Sequence, residues 1–219
     1  MVTHDAGETQ SALTVGGTLS VGFLSRLDMT GKGLAAGQSI DAITGQVINT
    51  HVDYSRDGGS HGGAGGGSSP DTYGDAENPT TLGGGGVSSA WAGNLQNGGR
   101  GGGAMVISAD TLLLEGQMLA DGAPGNAGCD SCGGGGAGGS LNITVNTFSG
   151  DGFMSASGGD GLLRSGVIDD SRSGRGGGGG RIAIYYATKT YSGAIVVDGG
   201  SGYTGDTLSE AGTLHEAEQ

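Results

Sequence analysis

Proline is nearly missing from this 219-residue chain, occurring 3 times. Collagen needs frequent proline inside a strict G-X-Y period, so that architecture is excluded whatever the glycine count. Basic residues are scarce as well, with 9 Lys and Arg against 22 Asp and Glu and a net charge of −13. Nucleic-acid binding needs clustered cations against phosphates, and here they are scattered apart from Arg172, Arg175 and Arg181. No run of about 18 apolar residues occurs, which leaves no candidate membrane span. The opening Met1-Val-Thr-His-Asp lacks a basic segment followed by an apolar one, so no signal peptide is read. If the protein is secreted, a mature or partial chain is expected. No window shows the 3.6-residue spacing of an amphipathic helix.

What the chain does have is glycine, 54 residues of it, against a usual share of roughly 7%. Glycine loses the most backbone entropy on folding and normally argues for a flexible linker. Arranged in tracts between apolar segments, it admits another reading. An extended three-residue-per-turn helix turns every backbone donor and acceptor outward, where parallel tracts can bond to one another.

The apolar segments repeat. AMVISADTLLLEGQMLADGAPG from Ala104, SLNITVNTFSGDGFMSASGGDG from Ser140 and RIAIYYATKTYSGAIVVDGGSG from Arg181 align without gaps. Met105, Leu141 and Ile182 fall in one column, and Ile107, Ile143 and Ile184 in the next. Met118, Met154 and Ile195 then align, followed by Ala120, Ala156 and Val197. Each copy follows a glycine tract, at 98–103, 133–139 and 174–180. A fixed internal order at this period is the signature of a repeat array. Within a copy the apolar period is two, which marks two short strands. Fainter copies lie at 13–21 and 27–37. The segment 58–86 breaks the pattern and reads as an insertion. The expected fold is all-β, a repetitive β-solenoid (parallel β-helix-like) with ordered polyglycine tracts. Its expected divisions are 1–57, a Gly-rich insertion at 58–97, and three repeats with a short polar tail over 98–219.

The order GGRGGGAMVISADTLLLEGQMLADG, GGGGAGGSLNITVNTFSGDGFMSASGGDG and GGGGGRIAIYY, with HGGAGG, TYGD and NP elements at 61–79, resembles a class of very large glycine-rich surface proteins. These occur in protists and environmental bacteria, where related blocks repeat in tandem. The resemblance spans 58–202. It implies a β-helix-like, secreted protein with a structural or adhesive role, and it carries no catalytic residues across.

Candidate chemistry is thin. Cys129 and Cys132 form a CxxC, without the further Cys or His ligands that zinc requires. A local disulfide, a pair of free thiols, or metal or redox use remain as readings. Asp198 and Asp206, around GGSGYTGDTL, are the candidates for a calcium-binding turn. Solvated turn aspartates are the competing reading, also for Asp121, Asp130, Asp151 and Asp160. Asn142-Ile143-Thr144 is an N-glycosylation sequon, and the repeat register turns Asn142 outward between Leu141 and Ile143. The glycine runs lack the Lys and Ser/Thr of a phosphate loop. Asp169, Asp170, Arg172 and Arg175 form the one local cluster of the kind β-helix lyases use, in a loop between copies. No enzymatic activity and no required cofactor are expected.

A repeat array has two open ends, and this chain shows no polar cap in sequence, closing on the short tail LHEAEQ. The expected function is that of an extracellular structural protein, a block of a surface fibre or filament assembling end to end with its own copies. The alternative is an adhesin or fibre-tip module gripping a glycan or a cell-surface receptor.

Overall fold

The computed structural model describes residues 5–7, 10–50, 55–67, 71–87, 98–126, 132–164, 171–205 and 207–219. Four long strands, β1 (Ser11–Val21), β5 (Ala104–Leu114), β7 (Ser140–Ser149) and β9 (Arg181–Lys189), are each followed by a three-residue strand. These short strands are β2 (Arg26–Asp28), β6 (Gln117–Leu119), β8 (Phe153–Ser155) and β10 (Ala194–Val196). Long strands join one sheet in the order β1-β5-β7-β9, completed by β11 (Thr213–Glu218), and short strands join a second in the order β2-β6-β8-β10. Every pairing in both sheets is parallel. A small antiparallel hairpin, β3 (Gln38–Ile40) with β4 (Val47–Asn49), belongs to neither sheet and is tied to the tract at 83–87, Gly85 donating to the Gln38 carbonyl.

The columns of the sequence repeat are the ladders of the sheets. Met105 pairs with Leu141 and Leu141 with Ile182; Met118 pairs with Met154 and Met154 with Ile195. Alternation, broken once between Ala109 and Leu112 and between Val145 and Phe148, turns these residues into one core between the two sheets, where Ile107, Leu112, Met118, Ile143, Phe148, Met154 and Ile184 are at most 1% exposed. Phe148 stacks on Tyr191 at 4.2 Å between ring centroids. Fully burying side chains of this size stabilises by roughly 1.5–3 kcal/mol each.

Beyond the short strands the chain leaves both sheets and enters a bundle of glycine tracts. In the tract 133–139, Gly134, Gly135 and Gly136 donate their amides to Val87, Arg175 and Ala123. Ala137, Gly138 and Gly139 then donate to Gly84, Gly178 and Ala120, the same three neighbours in the same order, at 2.7–2.9 Å. This period of three is that of an extended left-handed helix. Its carbonyls serve three other tracts, with Gly134 accepting from Gly99, Gly135 from Gly59 and Gly136 from Gly159. The tract 174–180 repeats the scheme, Gly174, Gly177 and Gly180 donating to Leu162, Gly159 and Ala156 while Arg175 and Gly178 donate to Arg56 and Gly59. A Cβ placed on Gly135, Gly136 or Gly138 would run into the carbonyl of Gly159, Arg100 or Ala156. Glycine is therefore required by backbone contact and not by turn geometry.

The β-solenoid is the expectation that the structure overturns. A parallel β-helix is sheet on every side of its coil. Here, among the described residues, two open parallel sheets end at the edges β1, β11, β2 and β10, and no closed coil joins them. The physical reason is the tracts. With no side chains to bury, they bond to six neighbours instead of two, and the segments around 33, 59 and 84 pack among those of the later repeats.

Candidate functional site: one open sheet end and one sealed end

β1 closes one end of the five-stranded sheet, and among the described residues nothing pairs with its outer edge. It carries no charge: SALTVGGTLSV alternates strictly between half-buried and exposed positions. Leu13, Val15 and Leu19 pack against the core but stay partly open at its flank. Gly16 and Gly17 sit in mid-strand, and a Cβ on either would meet nothing within 4 Å. Glycine inside a strand weakens it, and here the pair marks a β-bulge, where the register on β5 shifts between Val15 and Thr18.

The opposite end is built differently. β11 lies beside β9 with Leu214 opposite Ile182, Glu216 opposite Ile184 and Glu218 opposite Tyr186. In those columns the other strands carry apolar residues turned toward the core, so two glutamates occupy inward positions on the last strand. Lys189 pairs with Glu216 and lies over the Tyr186 ring. β11 also has no companion in the second sheet. Inward-pointing charge on a short edge strand is a recognised means of preventing further pairing. The polar tail read in the sequence is thus a strand, with Glu216 and Glu218 exposed. Aligning Thr213–Glu218 with Arg181–Tyr186 would have revealed the glutamates in the Ile184 and Tyr186 columns; the sequence reading missed both.

A polar cluster fastens the bundle to the outer face of the long-strand sheet. The segment 71–82 crosses the start of β7 and β9: Ser140 Oγ donates to the Thr81 carbonyl (2.7 Å), Arg181 Nε to Tyr73 (2.9 Å) and Tyr185 OH to Glu77 (2.6 Å). His61 lies fully buried beneath it. Its Nδ1 is 2.8 Å from the Gly138 carbonyl and its Nε2 2.8 Å from Thr81 Oγ1. A carbonyl can only accept, so the proton resides on Nδ1 and Nε2 accepts from the threonine. Burial, with Arg181 nearby, pushes the His61 pKa down to about 4. Burial likewise raises the Tyr73 phenol, whose hydroxyl donates to Leu82.

The candidates from sequence fall in separate places. Asn142 does alternate away from the core, yet the segment 71–82 covers it: it is 6% exposed and its Nδ2 donates to Asn78 Oδ1 at 2.7 Å. Asn142, the glycosylation candidate, thus faces away from the core but beneath this segment. Asp198 is exposed on the surface, and Asp206 lies outside the described residues, as do Cys129, Asp130, Asp169 and Asp170. The candidate disulfide pair Cys129 and Cys132 thus falls partly outside them; Cys132 itself is buried at the head of the tract 133–139. Among the described residues no three His, Cys, Asp or Glu side chains gather as metal ligands would. Asp121 is occupied by serines, accepting from Ser155 Oγ and from the Ser157 amide, and burial raises its pKa.

At the turns between long and short strands runs a groove of about 730 Å³, lined by Phe23, Leu24, Arg26, Glu115, Asp151 and Phe153. Phe23 and Leu24 are 81% and 95% exposed, the most open large apolar side chains there. No helix among the described residues is long and apolar enough to cross a membrane. No family model matches the chain, and no curated protein or solved structure is found to resemble it.

Proposed function

We propose that the chain is an extracellular structural block, joined into a surface assembly through its β1 end and closed at its β11 end. The observation that carries this reading is the contrast between the two sheet ends. An uncharged strand with an unpaired edge faces outward at one end, and a strand with inward glutamates at the other. The remaining features accord with it: the core is small and regular, the amides of 134–139 are bonded to neighbouring tracts, and the acidic, Lys-poor surface suits an extracellular setting. End-to-end growth through both ends, the arrangement expected from the repeats, is narrowed to docking through one. The test is surface labelling of intact source cells with a membrane-impermeant reagent, together with incorporation of a Leu13→Lys variant. Labelled wild type and an unincorporated variant support the reading; a protein reached only after lysis overturns it.

The groove beside Phe23 and Leu24 favours the second reading, an adhesin module that holds a glycan. Aromatic and aliphatic surface flanked by Glu115 and Asp151 is suited to stacking and hydrogen-bonding a sugar ring. Retention on a glycan array that is lost in Phe23→Ala would support it, and an array without hits would remove it.

A further inference from the structure

We infer that the loop 74–81 is an acid-released clasp: protonation of His61 lifts it off the starts of β7 and β9 and uncovers Asn142 and Tyr185 while both sheets stay folded. The device is independent of what docks at β1.

The loop is closed at its base and held from outside. Tyr73 OH donates to the Leu82 carbonyl (2.7 Å), and both residues are buried. Between them 74–81 form a compact loop with neighbouring ends, in which Asp75, Glu77 and Asn78 are exposed. Among the described residues, no backbone-to-backbone hydrogen bond joins 74–81 to the rest of the chain. Segments with few such bonds and little buried apolar surface are the first to open. Side chains hold it instead: Ser140 Oγ reaches Thr81, Asn142 Nδ2 reaches Asn78 and Tyr185 OH reaches Glu77. The fourth tie is the Thr81 hydroxyl on His61 Nε2, the one bond of the four in which an added proton exchanges donor and acceptor.

The surroundings of His61 offer that proton no anion. Nε2 shares a small space with a guanidinium: a Cβ on Gly74 would lie 3.3 Å from it and 3.4 Å from Arg181 Nε. On the Nδ1 side the tract 133–139 supplies the Gly138 carbonyl and no charge. Asp75 lies exposed, accepting from the Glu77 and Asn78 amides, and Glu77 is exposed beside it. Asp57, on the segment of His61, pairs with Arg175, and Glu210, from 207–212, accepts from the Ala64 amide. The Tyr73 ring, 5.0 Å from the imidazole between centroids, stays a neutral phenol because burial raises it. A second buried cation beside Arg181 is thus uncompensated, which is strongly unfavourable. Lifting the loop admits water to Nε2 and removes that cost. The closed loop holds the ring at about 4, against 6.5 in water. Acidification from pH 7 to pH 4.5 therefore favours opening on the order of 20- to 100-fold. The face uncovered carries no charge: Asn142, 6% exposed, and Ala183, 0% exposed, are register partners there, beside Tyr185.

Cleavage of the full chain by a glutamate-specific protease at pH 7 and pH 4.5 tests this, each rate divided by that of a free peptide of sequence 71–82. Amide exchange of β5 and β7 is followed in parallel. Wild type is expected to show a rise of at least about tenfold in relative cleavage after Glu77, with β5 and β7 still protected. His61→Gln is expected to lose most of the rise. Asp75→Asn is expected to keep it, since the loop's own carboxylate is not the cause. Thr81→Val removes the tie and leaves the ring in place; it is expected to be cut after Glu77 faster than wild type at pH 7 already, and decides the matter where the glutamine variant does not fold. A flat wild-type profile, an equal rise in His61→Gln, or a Thr81→Val rate equal to that of wild type overturns the clasp. So does cleavage that begins only when β5 and β7 lose protection, because the opening is then global.

Discussion

At the residue scale, single positions in the tracts are fixed by backbone crowding, and one buried imidazole is fixed by two hydrogen bonds. Gly136 is enclosed by the Arg100 carbonyl, whereas Gly22, in the turn before β2, has open space around it. Gly136→Ala is therefore expected to cost at least about 3 kcal/mol, the upper range of overpacking, because rigid backbone and not a flexible side chain must yield. Gly22→Ala is expected to change stability by less than about 0.5 kcal/mol; similar urea midpoints for the two would contradict the packing described. His61 has a folded pKa near 4 against an ordinary 6.5. The unfolded chain therefore takes up the proton first on acidification. The stability tied to the neutral ring is complete above pH 6.5 and is lost as pH falls toward 4. By pH 4.5 the loss from this group is on the order of 2–3 kcal/mol. His61→Gln can keep a donor to Gly138 and an acceptor for Thr81 without titrating. Its stability is expected to fall less between pH 7 and pH 4.5 than that of wild type, and equal losses in urea titrations would remove the assignment. Asp41 and Asp75, held below the usual carboxylate range by backbone amides and, for Asp41, by the Thr44 hydroxyl as well, titrate in both proteins and cancel in the comparison.

At the element scale, the edge strands carry the behaviour of the molecule. Replacing Glu216 and Glu218 together by Leu would continue the apolar columns of Ile184 and Tyr186 onto β11. The variant is expected to lose the seal and form larger, concentration-dependent species by light scattering, where wild type does not grow; unchanged scattering would show that the glutamates do not act as a barrier. Strand register was legible in the sequence because side chains record it. The columns through Met105, Leu141 and Ile182, and through Met118, Met154 and Ile195, are the ladders themselves. The overall shape was not legible. A glycine tract leaves no periodicity in hydropathy, so nothing in GGGGAGG states that its amides serve three neighbours in rotation. The covering of Asn142 was hidden for a related reason. It depends on the segment 71–82, which is distant in sequence and shows no apolar period. β11 was hidden by its own polarity, since the glutamates that seal the sheet also make TLHEAE read as a tail.

At the scale of the whole molecule, sheets and bundle form a single bonded network. Ser11 pairs with Met105 across most of the first half of the chain, and Gly59 donates to Gly135 across a comparable distance. Removing one tract leaves donors or acceptors unpaired in up to six others, and a buried unpaired backbone group costs about 1–3 kcal/mol. Local opening of a tract is therefore disfavoured in a way that opening of an ordinary glycine loop is not. Hydrogen exchange gives a direct measure. Amides of 134–139 and 177–180 donate to other tracts at 2.7–2.9 Å, apart from Gly180 at 2.6 Å, and are expected to exchange as slowly as those of β5 and β7. They are also expected to lose protection together with these strands as denaturant is added, because bundle and sheets share the residues where each tract enters its strand. Gly139 and Gly180 stand at those junctions, accepting from Arg181 and Thr213 while donating to Ala120 and Ala156. Fast exchange across the tracts beside protected strands would mean that the bundle is not part of the cooperative fold, and the one-piece structure argued from its hydrogen bonds would fail.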